Sequence, residues 1–508
     1  MLEKNSITKN TLFLYVRMLF SLIVSLYTSR IVLNVLGVSD YGIYNLVGGL
    51  VASFTFITTT LSGASSRFIT YELGLHNQDN LRKSFNTIFN IHLLFAIVIV
   101  IVAEIGGIWM IYNKLVIPEE RITASLFVFH CAIFQTFISI TQVPYTATII
   151  GHERMNIYAY VSIFDVISKL IVVLALQYYT YDKLMLYGSL VMLLSFIVAM
   201  IYRTYCFKQF KETHYTFELD KNLFKKIMSF SFWDLYGNMC VVVNSQGRIL
   251  LLNMFWGTIT NAAAGIANQV VGVVRGFVTN FQLAARPQIV KRYAEENHQS
   301  MISLCYKTSK YSFVLLLILS MPLIMETHYV IKLWLGVVPH YVVDFIRLST
   351  ISDIIWATFQ PYNIGINAVG RMKLVSFGTG SLYLLSIILL YFFLSWGAKP
   401  QVAYIISIIN SIMAGIANLY ILRRYIPSFS IFLFFKNVII GAVLVSSISF
   451  FFSLLICNSM SEGWVRLLVS CVQSSFVIAL TSYFFIVEKD LRVKIISFVY
   501  NRLKICKP

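Results

Sequence analysis

Residues 10–36 read NTLFLYVRMLFSLIVSLYTSRIVLNVL. A helix needs roughly 20 apolar residues to cross a bilayer core, and this run is long enough. Arg17 and Arg30 interrupt it. An arginine in the middle of a membrane helix costs about 2.5–3.5 kcal/mol on insertion scales, so it faces a bundle interior or a watery cavity and often marks a substrate path. The stretch does not read as a cleavable signal peptide. It is too long for an h-region, Arg17 breaks it, and no small-residue cleavage site follows. It reads as the first span.

Working outward, the chain of 508 residues is 58% hydrophobic and 12% charged. That excludes an ordinary soluble protein. Apolar runs predict spans near 10–36, 42–64, 85–112, 122–150, 155–178 and 183–206. After a polar linker they predict further spans near 226–255, 258–286, 306–326, 341–368, 372–396, 400–423, 434–457 and 464–487. The expected fold is an all-α integral membrane protein with about fourteen transmembrane helices. The seven cysteines are scattered without a CxxC pair and read as small apolar fillers rather than a disulfide framework.

The net charge of +18 raises nucleic acid as a partner, and its placement decides against it. With the N-terminus inside, the even-numbered loops and both termini carry roughly 28 of the 40 basic residues. This is a positive-inside signal that predicts cytoplasmic N- and C-termini. Trp109, Trp256, Trp334, Trp396 and Trp464 fall at expected outer ends, where an aromatic belt belongs.

A repeat runs through the pattern. PYTATIIGHERM (144–155) closes the fourth span and PYNIGINAVGRM (361–372) the tenth. Ser29–Leu33 (SRIVL) matches Gly247–Leu251 (GRILL), and weaker echoes join the second and eighth spans. Three matches in one order indicate a duplicated six-span unit. A shift of six spans keeps orientation, so the halves are expected to be parallel repeats. The expected organisation is an N-terminal lobe over 1–206, a cytoplasmic linker over 207–225 and a C-terminal lobe over 226–423. Residues 424–508 hold two extra spans and a basic tail.

On these features, and on the run SRIVLNVLGVSDYGIYNLVGGL (29–50), the chain resembles the multidrug/oligosaccharidyl-lipid/polysaccharide (MOP) exporter superfamily. The resemblance covers the first twelve spans and lies nearest the polysaccharide branch with the O-antigen (Wzx-type) flippases. It implies two six-helix lobes around a central cavity in the bacterial inner membrane. The implied activity turns an undecaprenyl-pyrophosphate-linked oligosaccharide, an O-antigen or capsule repeat unit, from the inner to the outer leaflet. The implied partners are that lipid-linked substrate, membrane lipid and a glycan polymerase complex. The expectation is a transporter rather than an enzyme, without a cofactor, coupled to H⁺ or Na⁺.

The residues support that chemistry in their own terms. The sequence has no GxxxxGK[ST] loop, no HExxH and no clustered Cys/His ligand set. Arginine suits a pyrophosphate headgroup because it stays charged and offers planar bidentate donors. The cations expected within spans are Arg17, Arg30, Lys169, Arg248, Arg275 and Arg347; the acids are Glu104, Asp165, Asp234 and Asp353. This surplus of cations fits an anionic cargo better than a cationic drug.

Arg30, Arg248 and Arg275 are read as substrate contacts, against snorkelling for Arg30 and a structural ion pair for Arg275. Asp165 and Lys169, four apart, read as an intrahelical ion pair, and Asp353 as a proton carrier or a hydrogen-bonded structural acid. Arg347 is expected to pair with Asp344. Arg17 and Asp234 are read as an inner gate, against two hydrated surface charges. Pro144 and Pro361 are read as helix bends. Two rivals remain: a multidrug or cation exporter of the same superfamily, and a membrane-embedded glycan polymerase or ligase.

Overall fold

The computed structural model describes residues 10–25, 55–113, 117–179, 182–216, 220–336 and 338–487, with a few single positions between 27 and 44 and Arg492. The described chain is helical. In order the helices are α1 Asn10–Ser25, α2 Thr55–Gly74, α3 Gln78–Asn113, α4 Ile122–Gly151, α5 Met155–Leu176, α6 Lys183–Gln209 and α7 Lys221–Ala294. They continue as α8 His298–Met325, α9 Thr327–Leu335, α10 Val342–Val369, α11 Met372–Ser395 and α12 Val402–Tyr425. The last are α13 Ile431–Phe434, α14 Ile440–Ser459 and α15 Trp464–Phe485, a π turn over Phe435–Ile439 joining α13 to α14.

Nine helical segments among the described residues are long and apolar enough to cross a membrane. This is a multi-pass membrane protein. Nine is fewer than the fourteen spans expected, and the sequence explains part of the difference. The described first helix is short, and α10 carries Asp344, Arg347, Asp353, Gln360 and Asn363. The helices that qualify turn their apolar side outward. On α15, Val465, Leu468, Val472 and Phe476 are exposed while Ser470, Ser474 and Ser482 are buried. Lipid solvates the apolar stripe as well as protein would, so small polar residues take the helix–helix contacts.

The 74 residues of α7 would stretch about 111 Å if straight. They do not. Leu252 and Ala263 share one buried cluster. Asp234 and Arg286 both approach Gly63: a Cβ there would lie 3.3 Å from Asp234 Oδ2 and 3.8 Å from Arg286 Nη2. On a straight helix those two residues would stand about 78 Å apart. The helix therefore doubles back near its middle into two legs, which coincide with the expected spans 226–255 and 258–286. Asp220 starts it, accepting the N–H groups of Leu223 and Asn222, and these bonds hold its exposed carboxyl below the usual range.

The chain divides into two compact units. The first holds residues 1–239, 283–297 and 370–373. At its centre α4 packs against α2, α3, α5 and α6. The second holds 240–282, 298–369 and 374–508, and there α10 packs against α8 and α12, with α14 and α15 also against α8. The two Pro-Tyr helices thus hold corresponding positions, each at the centre of its own unit.

Both prolines lie inside continuous helices. Side chains serve carbonyls there: Thr148 Oγ1 donates to Pro144 O at 2.9 Å, and Cys305 Sγ to Pro361 O at 3.6 Å. Nine residues beyond each proline the backbone turns left-handed, at Glu153 (φ 59°) and Gly370 (φ 81°). The next helices then begin at Met155 and Met372. The repeated sequence makes the same turn twice.

Candidate transport site

Three polar groupings stand out in these apolar surroundings. In the second unit, Arg275 on the second leg of α7 lays its guanidinium over Trp356, 3.9 Å from the ring centroid. Its Nη1 lies 3.6 Å from Asp353 Oδ1. The Arg275 side chain is 42% exposed and makes no hydrogen bond among the described residues, whereas Asp353 is 14% exposed. Asp353 Oδ2 is buried with no hydrogen-bond partner among those residues.

Arg248, on the first leg, donates to Ser407 Oγ at 2.8 Å and lies over Tyr404. It too acts electrostatically on Asp353. Asn244, one turn before it, donates to Tyr383 O and Ser386 Oγ. The structure therefore brings Arg248, Arg275 and Asp353 together; Arg30 lies outside the described residues.

The first unit contains an open polar cavity of about 340 Å³ between α4, α5 and α6. Asp165 and Lys169 face it, paired at 2.7 Å. Arg17 packs over the Tyr158 ring at 4.9 Å beside it.

The same unit has a dense cluster at the end that carries the turns at Glu153 and Gly370. Asn238 Nδ2 donates to Asp234 Oδ2 at 3.2 Å and lies 2.9 Å from Thr60 Oγ1. Gly63, having no Cβ, lets Asp234 and Arg286 flank α2 closely. Arg286 is the charge that acts on Asp234. Asp234 is thus bonded to Asn238 and acted on electrostatically by Arg286, and Arg17 lies over Tyr158; no contact is described between Arg17 and Asp234, the pair expected as a gate.

Lys291 Nζ meets Glu153 Oε1 at 3.0 Å, and Gln288 Nε2 meets its other oxygen at 3.3 Å. Buried Arg67 stacks on Phe68 and lies near Tyr71 and Phe230. A Cβ on Gly370 would meet the Arg67 guanidinium at 2.1 Å, so close approach and positive φ together require glycine there.

Three other ionisable side chains have structural duties. Arg347 does not pair with Asp344. Its Nε donates to Ile324 O at 2.9 Å, capping the end of α8, while Gln401 takes Asp344. Glu326, fully buried, holds Arg466 Nη2 at 2.7 Å and Ser470 Oγ at 3.0 Å, tying α8's end to α15. His92 is buried and satisfied by Ser65 and Ile88 O.

Sequence reading missed Arg286, which lies at the edge of an expected span, and Trp356, one aromatic among many. Spacing shows Trp356 in retrospect: it falls three residues after Asp353 on one helix face.

No protein-family model matches the sequence, and no curated protein matches it. Solved structures do match in fold. A crystal structure of a MATE mutant superposes with a TM-score of 0.71 at 12% identity, over 83% of this chain and 96% of its own. A MOP superfamily transporter from Pyrococcus furiosus, described as having a binding pocket of reverse polarity, gives 0.68 at 11% identity over 83% and 96%. An outward-facing multidrug resistance MATE transporter gives 0.67 at 11% over the same shares. The class defined is a multi-pass helical membrane protein. Its fold is that of the MOP superfamily transporters.

Proposed function

We propose that this chain is a flippase that moves an undecaprenyl-pyrophosphate-linked oligosaccharide from the inner to the outer leaflet of the bacterial cytoplasmic membrane by alternating access. Its architecture on this reading is fourteen spans, in two parallel six-helix lobes and two added helices, with both termini in the cytoplasm. An H⁺ or Na⁺ gradient drives it, and a glycan polymerase takes the product.

The observation that carries the reading is Arg275. Its guanidinium is held flat by Trp356, its ion pair with Asp353 is stretched to 3.6 Å, and its donor fork makes no hydrogen bond among the described residues. A planar cation held in place with open donors suits a pyrophosphate. Arg248 adds a second cation in the same unit. A cationic drug would meet repulsion from both.

The fold alone also suits a multidrug exporter, as one of the matching proteins is described. Depleting the chain in its native cell separates the readings. A flippase leaves lipid-linked oligosaccharide accumulated in the inner leaflet. Normal sugar distribution with lost efflux of a cationic dye would assign the chain to drug export.

A further inference from the structure

The cavity between α4, α5 and α6 is not explained by the cationic site. Its walls come from three helices with one spacing. Gln135, Ser139, Gln142 and Thr146 recur at intervals of four, three and four along α4, and Tyr158, Ser162, Asp165 and Lys169 do the same along α5. Ser195 and Tyr202 complete the wall from α6. Such spacing puts each set on a single helix face.

Ten of the thirteen lining residues are polar, whereas drug pockets are lined mostly by apolar side chains. The volume, about 340 Å³, falls within the roughly 300–1,000 Å³ range of small-molecule sites. Among its lining residues the charge is balanced, because Lys169 Nζ and Asp165 Oδ2 meet at 2.7 Å, with Arg17 just outside over the Tyr158 ring. The Gln135 amide already donates to Ser195 Oγ at 2.9 Å, but Gln142 and Ser139 have no partner among the described residues. Both remain accessible. Polar groups within apolar spans are expensive to keep there without a ligand or water to serve them.

We propose that this cavity is a subsite for a neutral, polyhydroxylated ligand: the sugar rings of the cargo, bound apart from its pyrophosphate. The proposal rests on the flippase reading for the cargo, not for the chemistry of the pocket. Sugar hydroxyls both donate and accept. The Gln142 amide and the Ser139 hydroxyl offer both roles, and the Asp165–Lys169 pair adds an acceptor and a donor without net charge.

The test uses the purified full-length chain in detergent and saturation-transfer NMR. The probes are methyl α-glucoside, methyl α-galactoside and N-acetylglucosamine, with binding of inorganic pyrophosphate, which has no carbon-bound proton, followed in parallel by titration calorimetry. We expect saturation transfer to at least one sugar. Gln142→Leu and Ser139→Ala should each weaken its binding roughly tenfold, the scale of one lost hydrogen bond, and leave pyrophosphate binding unchanged. Thermal unfolding of each variant checks that it remains folded.

A lipid glycerol headgroup shares this chemistry, so phosphatidylglycerol is added in a second arm. Sugar signals that persist support the proposal; signals abolished by the lipid assign the cavity to a headgroup and overturn it. No transfer to any sugar, or transfer equal in Gln142→Leu and the native chain, also overturns it. The flippase reading fails separately: sugar binding that Gln142→Leu abolishes supports the pocket even if depletion leaves the lipid-linked oligosaccharide evenly distributed.

Discussion

Lys291 Nζ and Glu153 Oε1 stand 3.0 Å apart, joining the second leg of α7 to the turn between α4 and α5. The repeat-related contact is Arg67 of α2 against Gly370 in the turn between α10 and α11. Each helix therefore seals the turn that belongs to the other repeat. Between them the backbones cross at Gly74, where a Cβ would lie 2.8 Å from Ala294 Cβ and 3.0 Å from Lys291 Cα. On the proposed alternating-access reading, these contacts break when this end opens.

Weakening the seal should open that end. The Glu153–Lys291 pair is part-buried, between exposed pairs and buried ones in strength, so Lys291→Ala should cost roughly 1–2 kcal/mol. That shifts a two-state population about 5–30-fold. A cysteine in place of buried Thr70, in a chain without its other cysteines, should then react with a thiol reagent faster by a similar factor. Unchanged labelling would show that the pair does not hold the end closed.

Charge reversal distinguishes the partners of Asp234. Asp234→Arg and Arg286→Asp should each impair transport, and the double variant should recover it, because both side chains reach Gly63 and Arg286 acts electrostatically on Asp234. Combining Asp234→Arg with Arg17→Asp tests the gate expected from sequence: recovery in that double variant supports the gate, and a double no better than the worse single removes it.

For the cationic site, Arg275→Ala and Arg248→Ala should each abolish export while the protein stays in the membrane. Arg275→Lys should rescue only in part, because an ammonium lacks the guanidinium fork and its flat stacking on Trp356. Trp356→Leu should reduce transport less than Arg275→Ala. Transport is read as surface glycan per unit of membrane-localised protein, and full activity in both Ala variants would remove these arginines from the site.

Glu326 is a matter of stability. Its side chain is fully buried against Arg466, itself only 14% exposed. Glu326→Ala leaves that cation uncompensated and should cost about 3–5 kcal/mol. The thermal unfolding midpoint in detergent measures it, and a midpoint within error of the native chain would contradict the assignment.

Much of this was legible in the sequence, for identifiable reasons. Hydrophobic run length gave the membrane class and located α3 to α6, because lipid imposes a minimum span. The Pro-Tyr repeat marked two turns whose left-handed residues, Glu153 and Gly370, prove equivalent. The hairpin inside α7 was visible as two runs, since an apolar run shows span length even where the helix continues through the bend. Partners were not legible. Arg347 had an acid three residues away and chose carbonyls twenty-three residues distant, because α8 ends beside it. Asp165 and Lys169 stand out by their charge, whereas the uncharged amides and hydroxyls that complete the cavity do not, although they share the same spacing.

The most direct measurement places the purified chain in proteoliposomes with undecaprenyl-pyrophosphate-linked oligosaccharide and follows the share of sugar accessible to an external lectin. If the chain is the proposed flippase, this share rises well above the outer-leaflet fraction of protein-free vesicles, and Arg275→Ala abolishes the rise. A native chain that leaves lectin access at the protein-free level, while moving a cationic dye across the same membrane, would contradict it.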